Sequence, residues 1–243
     1  MTPAVPLLLG GAAVCGGLAA GGVYYATYAV RAQWLGPAVW CGRDDHPAVA
    51  LTFDDGPTPD TERILEILAR YGAAATFFMV GRQVERYPQT ARRVAASGHT
   101  IGNHSYSHPV YLYRSARETY RQLARTQDIV ADVTGVRPVW SRPPCGVRTR
   151  AYFAAARALG LQTIQWTVAG FDWQRRHAHW IARYVVERAA PGSIVLLHDG
   201  DSAGKADRQR TVAAVPRIIE GLADRGLRVS PLASLIPSNG LLR

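Results

Sequence analysis

Two adjacent carboxylates, Asp54 and Asp55, follow the apolar run 48–51 and stand directly before Gly56-Pro57. The run predicts a buried strand, which the glycine and the proline end. At a strand end the backbone bends, so both carboxylates can face one crevice, although strand neighbours normally point to opposite faces. Two carboxylates in one place repel each other unless a cation or a shared proton relieves them. An ordinary turn is the alternative, because Asp-Gly-Pro is common turn chemistry.

A second candidate group is the pair His104 and His108, which follows a short strand predicted at 99–102. Two histidines four residues apart can share one face of a helical turn and bind one metal ion. With a strand-end carboxylate they form a two-His, one-carboxylate set that leaves metal positions open for water or substrate. One Asp can then be a ligand while the other stays free as a base. Such a set also suits the iron of an oxygenase, but the spare Asp54 and the imidazole of His198 favour hydrolysis.

Strand-like and helical patterns alternate about seven times between residues 48 and 230. They include a basic helix predicted over 83–97 and a strand predicted over 162–166. The alternation predicts a parallel sheet, and its length favours closure into a barrel over an open doubly wound sheet. In either architecture, functional side chains belong at the carboxyl ends of strands. Five predicted strand ends carry polar side chains, namely Asp54-Asp55, the pair His104 and His108, Arg142, Asp172, and His198-Asp199.

These stretches together resemble the polysaccharide deacetylase family, the NodB homology domain of carbohydrate esterase family 4. The resemblance covers about residues 47–235 and implies a distorted (β/α) barrel of about seven parallel strands. Five motifs match in order, namely Thr52-Phe53-Asp54-Asp55-Gly56-Pro57, His104-Ser105-Tyr106-Ser107-His108, Arg142-Pro143-Pro144-Cys145-Gly146, Asp172-Trp173 and Leu196-Leu197-His198.

The resemblance implies a metal-dependent hydrolase that removes N-acetyl groups from a peptidoglycan- or chitin-like glycan. Asp55, His104 and His108 would hold the divalent ion, with Zn²⁺ expected first and Co²⁺ or another ion as the alternative. Asp54 would be the general base that takes a proton from the metal-bound water, and His198 the general acid that protonates the leaving amine. The supporting positions would be Arg142 and Asp172, the backbone N–H of Cys145 for the oxyanion, and Trp173 and Leu196 in the substrate groove.

Two positions depart from the family pattern. Cys145 stands where the third motif usually has an aromatic residue, which makes one wall of the site smaller and puts a thiol near the metal. Ala169 stands three positions before Asp172, where an acidic residue often belongs to the network that tunes the site. An O-deacetylase and a lipid-linked amino-sugar deacetylase are the alternative functions. A non-catalytic glycan-binding protein is disfavoured, because every implied catalytic position is occupied.

The N-terminal segment predicts a membrane anchor, since residues 4–30 contain no charged side chain over 27 positions, and ~20 apolar residues cross a bilayer core. A cleaved signal peptide is the alternative, although its basic first region is missing. Arg31 alone would place the domain in the cytoplasm by the positive-inside rule, but the implied chemistry belongs outside, so we expect an extracytoplasmic domain. The expected organisation is an anchor over 1–30, a linker over 31–46, the catalytic domain over 47–235 and a tail over 236–243.

The composition limits the classes of partner. A net charge of +10, from 28 basic and 18 acidic side chains, favours an anionic neighbour such as a lipid surface or a wall polymer. The arginines are scattered and no nucleic-acid motif is present, so we expect no nucleic-acid binding. Three widely spaced cysteines predict neither a disulfide framework nor a Cys-type zinc site. The expected partners are therefore the N-acetylated glycan and, through the N-terminal segment, a membrane.

Overall fold

The computed structural model describes residues 21–205 and 207–236 of the 243-residue chain. Strands and helices alternate along these residues. The strands are β1 (Ala48–Asp54), β2 (Thr76–Met79), β3 (Thr100–Asn103), β4 (Trp140–Ser141), β5 (Gln162–Thr163), β6 (Val168–Ala169), β7 (Ile194–His198) and β8 (Arg228–Val229). The helices are α1 (21–28), α2 (Pro59–Arg70), α3 (Gly81–Arg86), α4 (Pro88–Ala96), α5 (Ala116–Thr134), α6 (Arg150–Ala158), α7 (Ala178–Arg188), α8 (Gln209–Asp224) and α9 (Leu232–Leu235).

The long strand β1 lies at the centre of a parallel sheet. The strands follow the order β5-β4-β3-β2-β1-β7-β6, and the short β8 pairs with the first residues of β1. The register places Asp54 of β1 between Phe78 of β2 and His198 of β7. The sheet curls into an open barrel, which confirms the predicted α/β fold with about seven parallel strands.

The N-terminal segment around Val39 lies between the two ends of the curled sheet. Val39 forms a parallel bridge with Ile164, directly after β5, and its carbonyl accepts the N–H of Gln165 at 2.6 Å. Just before β6, the hydroxyl of Thr167 donates to the carbonyl of Trp40 at 2.8 Å. Part of the predicted linker over 31–46 therefore belongs to the barrel wall.

The side chains of β1 alternate between two layers, because successive residues of a strand point to opposite faces of the sheet. Val49, Leu51 and Phe53 pack into the larger apolar cluster together with the surrounding helices. Ala50 belongs to the second apolar cluster on the other face. Asp54 continues the face of Ala50, so the alternation itself directs the first carboxylate away from the helices and into the barrel.

Helix α2 begins immediately after the two carboxylates because Thr58 caps its first turn. The hydroxyl of Thr58 accepts the N–H of Asp60 at 3.2 Å, and the hydroxyl of Thr61 accepts the N–H of Thr58 at 2.8 Å. Pro59 occupies the first helical position, where its missing N–H costs nothing. A cap of this kind stabilises a helix by about 0.5–2 kcal/mol, so the turn between β1 and α2 is short and well fixed.

Two predicted elements are wrong in detail. The helix predicted over 83–97 is two helices, α3 and α4, which are separated at Tyr87. Pro88 has no N–H to donate and disfavours a helical conformation of Tyr87, so it ends the first helix and begins the second. The strand predicted over 162–166 ends at Thr163 as β5. A separate strand, β6, follows and pairs with β7.

Most of the anchor predicted over 1–30 lies outside the described residues, as does the predicted tail except for its first residue. Among residues 21–205 and 207–236, no helix is both long and apolar enough to span a bilayer. The buried guanidinium of Arg148 donates to the carbonyls of Val30 at 3.1 Å and Ala32 at 3.2 Å. A cation at the carbonyls that follow a helix also complements the helix dipole. The end of α1 is therefore attached to the catalytic domain.

Candidate active site

The two carboxylates at the end of β1 meet in one crevice because the backbone changes direction between them. Asp55 has a left-handed φ of 78°, which takes its side chain out of the alternation of the strand. Oδ2 of Asp54 and Oδ1 of Asp55 lie 3.7 and 3.6 Å from the same atom, Nε2 of His104. Gly56 must be glycine, since a β-carbon there would collide with the carboxylate of Asp199. The predicted crevice is confirmed, with both carboxylates buried.

The two histidines converge through a loop rather than through a helical turn. The backbone is left-handed at Ser105 and at His108, with φ of 67° and 56°. Oε1 of Gln122, on α5, accepts the N–H groups of Tyr106 and Ser107 at 3.1 and 2.9 Å. These contacts hold the loop in a shape that brings the rings of His104 and His108 to 5.0 Å between centroids.

Asp55, His104 and His108 fit a divalent metal ion. One ligand atom from each lies within 4.8 Å of the other two, and Oδ1 of Asp55 is 3.2 Å from Nε2 of His108. Within the described part of the chain, Oδ1 of Asp55 is also buried without a hydrogen-bond partner, which is costly for a carboxylate unless a cation takes that place. Two nitrogens and one carboxylate oxygen are the donors of catalytic zinc sites and also suit neighbouring first-row metals.

The tautomer of His104 is set for metal binding. Its Nδ1 lies 2.7 Å from the carbonyl of Arg142, which can only accept, so Nδ1 carries the proton and Nε2 is left with its lone pair. Burial, reinforced by the neighbouring His108, lowers the pKa of His104 to about 3. The ring is therefore neutral at physiological pH, which is the form that ligates a metal.

Asp54 is held by a buried arginine from another strand end. The guanidinium of Arg142, which follows β4, is fully buried and donates to Oδ1 of Asp54 and to the hydroxyl of Thr52, both at 2.7 Å. It also donates to the carbonyl of Gln165 at 2.9 Å and lies 4.1 Å from the ring centre of Phe78. Burial raises the pKa of Asp54, while the charge of Arg142 opposes that rise. The arginine thus fixes one carboxylate oxygen and leaves the other toward His104.

His198 and Asp172 form a second buried pair across the crevice. Asp172 accepts from Nδ1 of His198 at 2.8 Å with one oxygen. The other oxygen accepts the backbone N–H of His198 and the hydroxyl of Thr211, each at 2.8 Å. Burial by itself would lower the pKa of His198, but the charge and hydrogen bond of Asp172 outweigh it and raise the pKa to about 9. His198 is therefore a cation at neutral pH.

The remaining residues of the predicted site lie around this centre. Cys145 has a left-handed φ of 56°, and its N–H makes no hydrogen bond within the part of the chain described. Its thiol is not a member of the three-residue metal group. The ring of Trp173 is 42% exposed and lies 5.2 Å from that of His198. Leu196 is buried beside Ala169 on the neighbouring strand, so its predicted place in the groove stays a prediction.

The sequence analysis assigned no role to Asp199, which connects the two halves of the site. Its carboxylate accepts the N–H of Gly56 at 3.0 Å and the hydroxyl of Thr61 at 2.5 Å. Its own N–H donates to the carbonyl of Asp54 at 3.2 Å, and its carbonyl accepts the hydroxyl of Thr58 at 2.5 Å. Asp199 therefore holds the turn that carries Asp55 against the strand that carries His198. Its position directly after a strand-end histidine was the available signal.

The arrangement places a carboxylate and an imidazole that can exchange protons next to the three candidate metal ligands. A fully buried carboxylate, Asp54, lies beside the three ligands, and a charged imidazole, His198, lies in the same crevice at the carboxyl ends of the strands. A curled (β/α) barrel with a metal group, a spare carboxylate and a protonated imidazole defines a metal-dependent hydrolase.

Comparisons with known proteins give the family. The sequence pattern that describes polysaccharide deacetylases matches residues 42–164. A peptidoglycan-N-acetylglucosamine deacetylase of Bacillus cereus is 35% identical over 83% of this chain and 93% of the relative. A chitooligosaccharide deacetylase of Azorhizobium caulinodans is 34% identical over 76% of this chain and 92% of that protein. The chain belongs to the polysaccharide deacetylase family and is an enzyme of that class.

Solved structures agree with this assignment. The crystal structure of the Bc1960 peptidoglycan N-acetylglucosamine deacetylase is 33% identical, with a TM-score of 0.76, and the match covers 82% of this chain and 92% of that one. The resemblance predicted from the five motifs is therefore confirmed.

Replacing Asp199 by alanine tests its role in holding the metal group. Asp199→Ala removes the acceptor of Gly56 N–H and of the Thr61 hydroxyl, which costs about 1–3 kcal/mol for groups left buried. We expect Zn²⁺ affinity, measured by competition with a chromophoric chelator, to fall about tenfold or more, as for other supports of metal ligands. The control is Asp224→Ala, which removes an exposed carboxylate at the end of α8. An affinity within twofold of the unmodified protein would contradict the role.

Proposed function

We propose that this enzyme hydrolyses N-acetyl groups on an N-acetylated cell-envelope glycan and releases acetate and a free amino sugar. The observation that carries the proposal is the metal group of Asp55, His104 and His108 with Asp54 beside it, held by Arg142. The relatives named as peptidoglycan-N-acetylglucosamine deacetylase and chitooligosaccharide deacetylase support the acetamide as the group attacked.

Asp55, His104 and His108 would hold the divalent ion, for which Zn²⁺ is the first choice. When bound, the ion supplies Lewis-acid activation of water and of the acetamide carbonyl. Asp54 is the general base in this proposal. Burial raises its pKa toward the working range of a base, and its hydrogen bond from Arg142 keeps one oxygen fixed while the other faces the metal group.

His198 is the general acid in this proposal. Its proton is retained at neutral pH because Asp172 raises its pKa to about 9, so it can protonate the nitrogen of the departing amino sugar. The N–H of Cys145, which has no partner in the described part of the chain, is available to the carbonyl oxygen as charge develops there. The small side chain of Cys145 leaves room beside that position.

Acetate release with and without metal tests the function. We expect acetate from an N-acetylglucosamine tetramer, loss of activity with a chelator, and recovery with added Zn²⁺ or Co²⁺. Asp54→Asn should lower kcat by about a hundredfold or more, the usual contribution of a general base. It should keep its bound metal, because Asp54 is not one of the ligands.

The matched control is Asp128→Asn, which removes an exposed carboxylate on α5 and should leave kcat unchanged. Full activity of Asp54→Asn would eliminate it as the base. Release of acetate only from an O-acetylated glycan would favour an O-deacetylase. Release only from a lipid-linked amino sugar would favour a lipid-linked amino-sugar deacetylase.

The pH dependence tests the acid. Since the pKa of His198 lies at about 9 in the folded protein, kcat/KM should stay level from neutral pH upward and decline as pH rises through about 9. Asp172→Asn removes the charge that raises this pKa, so the decline should move below about pH 7, near the ordinary histidine value. The pH profile of kcat/KM measures both. An alkaline limb unchanged in Asp172→Asn would show that another group is the acid.

We also propose that the N-terminal segment anchors the enzyme and that its catalytic domain works outside the cytoplasm. The uncharged stretch over 4–30 and the exposed aromatic rings of Tyr24, Tyr25 and Trp34 support a membrane interface at this end of the domain. A C-terminal alkaline phosphatase fusion should be active in cells, and a cytoplasmic reporter fused at the same place should not. Membrane fractionation should retain the full chain. The opposite reporter pattern would overturn this placement, and a soluble secreted product would favour a cleaved signal.

A further inference from the structure

The loop between β6 and α7 connects the catalytic pair to an exposed surface. It contains a 3-10 turn over Asp172–Gln174, and left-handed residues stand on both sides, Phe171 and Arg175, each with φ of 53°. Asp172 points inward to His198, and the next residue, Trp173, is exposed with its ring against that of His198. The residues that follow Trp173 therefore lie at the edge of the substrate groove.

This edge carries three exposed arginines. We call the exposed side chains of Arg175, Arg176 and Arg210 the cationic rim. The guanidinium of Arg210, on the first turn of α8, donates to the carbonyl of Arg175 at 2.7 Å, which brings the third arginine to the loop. Among the described residues, no carboxylate lies within ion-pair distance of any of the three. Like charges on one surface repel one another, and an anionic ligand would relieve that repulsion.

Arg176 is pre-organised by aromatic stacking. Its guanidinium lies 4.8 Å from the ring centre of Trp180, which stacks on Tyr184 at 4.8 Å, and Arg188 covers the other end at 3.8 Å from Tyr184. Trp180, Tyr184 and Arg188 follow one another at intervals of four along one face of α7, and Arg176, just before the helix, extends this ladder through its contact with Trp180. Nη2 of Arg176 also makes a long hydrogen bond to Oε1 of Gln174 at 3.5 Å. Stacking leaves the guanidinium with less freedom to lose when a carboxylate takes that place.

The ladder is in contact with the groove. The ring of Phe171 packs at 5.3 Å on the edge of Tyr184 and at 5.2 Å on Trp173. A continuous series of ring contacts thus runs from His198 through Trp173 and Phe171 to the ladder that supports Arg176. In the proposed function the acetylated sugar lies against Trp173. The substituents on the sugar next to it would then face this surface.

We propose that the cationic rim binds carboxylates carried by the glycan next to the acetylated sugar. The preferred substrate is then an anionic glycan with acidic substituents, such as a peptide-bearing wall glycan, rather than an uncharged chitin-type oligomer. This inference rests on the proposed deacetylase function. The rim acts on binding and leaves the hydrolytic step to the groups in the crevice.

Kinetics on a matched pair of substrates test the inference. The probes are a peptide-bearing peptidoglycan fragment and the same fragment with its carboxylates amidated, and acetate release is measured for each. The unmodified enzyme should show a higher kcat/KM on the acidic fragment, and 0.5 M NaCl should reduce this preference because salt screens exposed charges. The double variant R175Q/R176Q should lower the acidic-to-amidated ratio of kcat/KM about tenfold through KM, which corresponds to about 1.4 kcal/mol.

Two further variants sharpen the test. Arg183→Gln is the control, because Arg183 is an exposed arginine on α7 that pairs with Glu187, and we expect the same ratio as in the unmodified enzyme. Arg176→Lys keeps the charge but loses the planar stacked fork, and the ratio should fall between those of the unmodified and doubly substituted enzymes. Equal kcat/KM on both fragments, or a ratio unchanged in R175Q/R176Q, would overturn the anionic preference while leaving deacetylation intact. Release of acetate from neither fragment nor the N-acetylglucosamine tetramer would overturn the proposed function itself.

Discussion

The buried ion pair between Asp54 and Arg142 is the interaction on which the rest of the site depends. Two neighbouring carboxylates in a dry crevice repel each other, and each loses its hydration. Arg142 compensates one of them from a neighbouring part of the barrel, and Thr52 shares the same guanidinium nitrogen. Removing one member of a buried pair costs about 3–5 kcal/mol, because the other charge is left unpaired. Among the described residues, Oδ1 of Asp55 is buried without a hydrogen-bond donor, which distinguishes Asp55 from Asp54 with its bound arginine.

The barrel supplies the positions that this charge arrangement needs. Strand β1 has parallel neighbours on both sides, so its end is fixed against both β2 and β7. Asp199 then ties the turn after Asp55 to the end of β7 through contacts of both its carboxylate and its backbone. The carbonyl of Arg142 orients His104, so this one residue holds Asp54 through its side chain and His104 through its backbone. The parts of the site are therefore coupled, and each depends on several strand ends.

The surface around the crevice differs in chemical character from the crevice itself. Asp55, His104 and His108 converge as the family motifs predict, whereas Cys145 stands where the family usually has an aromatic residue. The rim beyond Trp173 is positively charged and supported by the ladder on α7. Exposed charge of this kind affects association and choice of substrate, while the chemistry depends on buried groups. The exposed charges around the crevice and the buried groups inside it can therefore vary independently.

The family, the parallel α/β barrel and the polar residues at the carboxyl ends of its strands could be predicted from the sequence, because they follow from local patterns. Alternation along the strand already directs Asp54 into the barrel, and Gly56 marks a place where no side chain fits. How these side chains and strands come together could be seen only in the folded protein. The approach of the two histidines depends on a loop that Gln122 holds from helix α5, rather than on a helical turn. The strand β6 is too short for a periodic pattern and exists because β7 pairs with it. The role of Asp199 arises from its contacts with Gly56 and Thr61, which lie about 140 residues earlier in the chain. Long-range hydrogen bonds and burial leave little trace in local sequence, which is why these features required the folded structure.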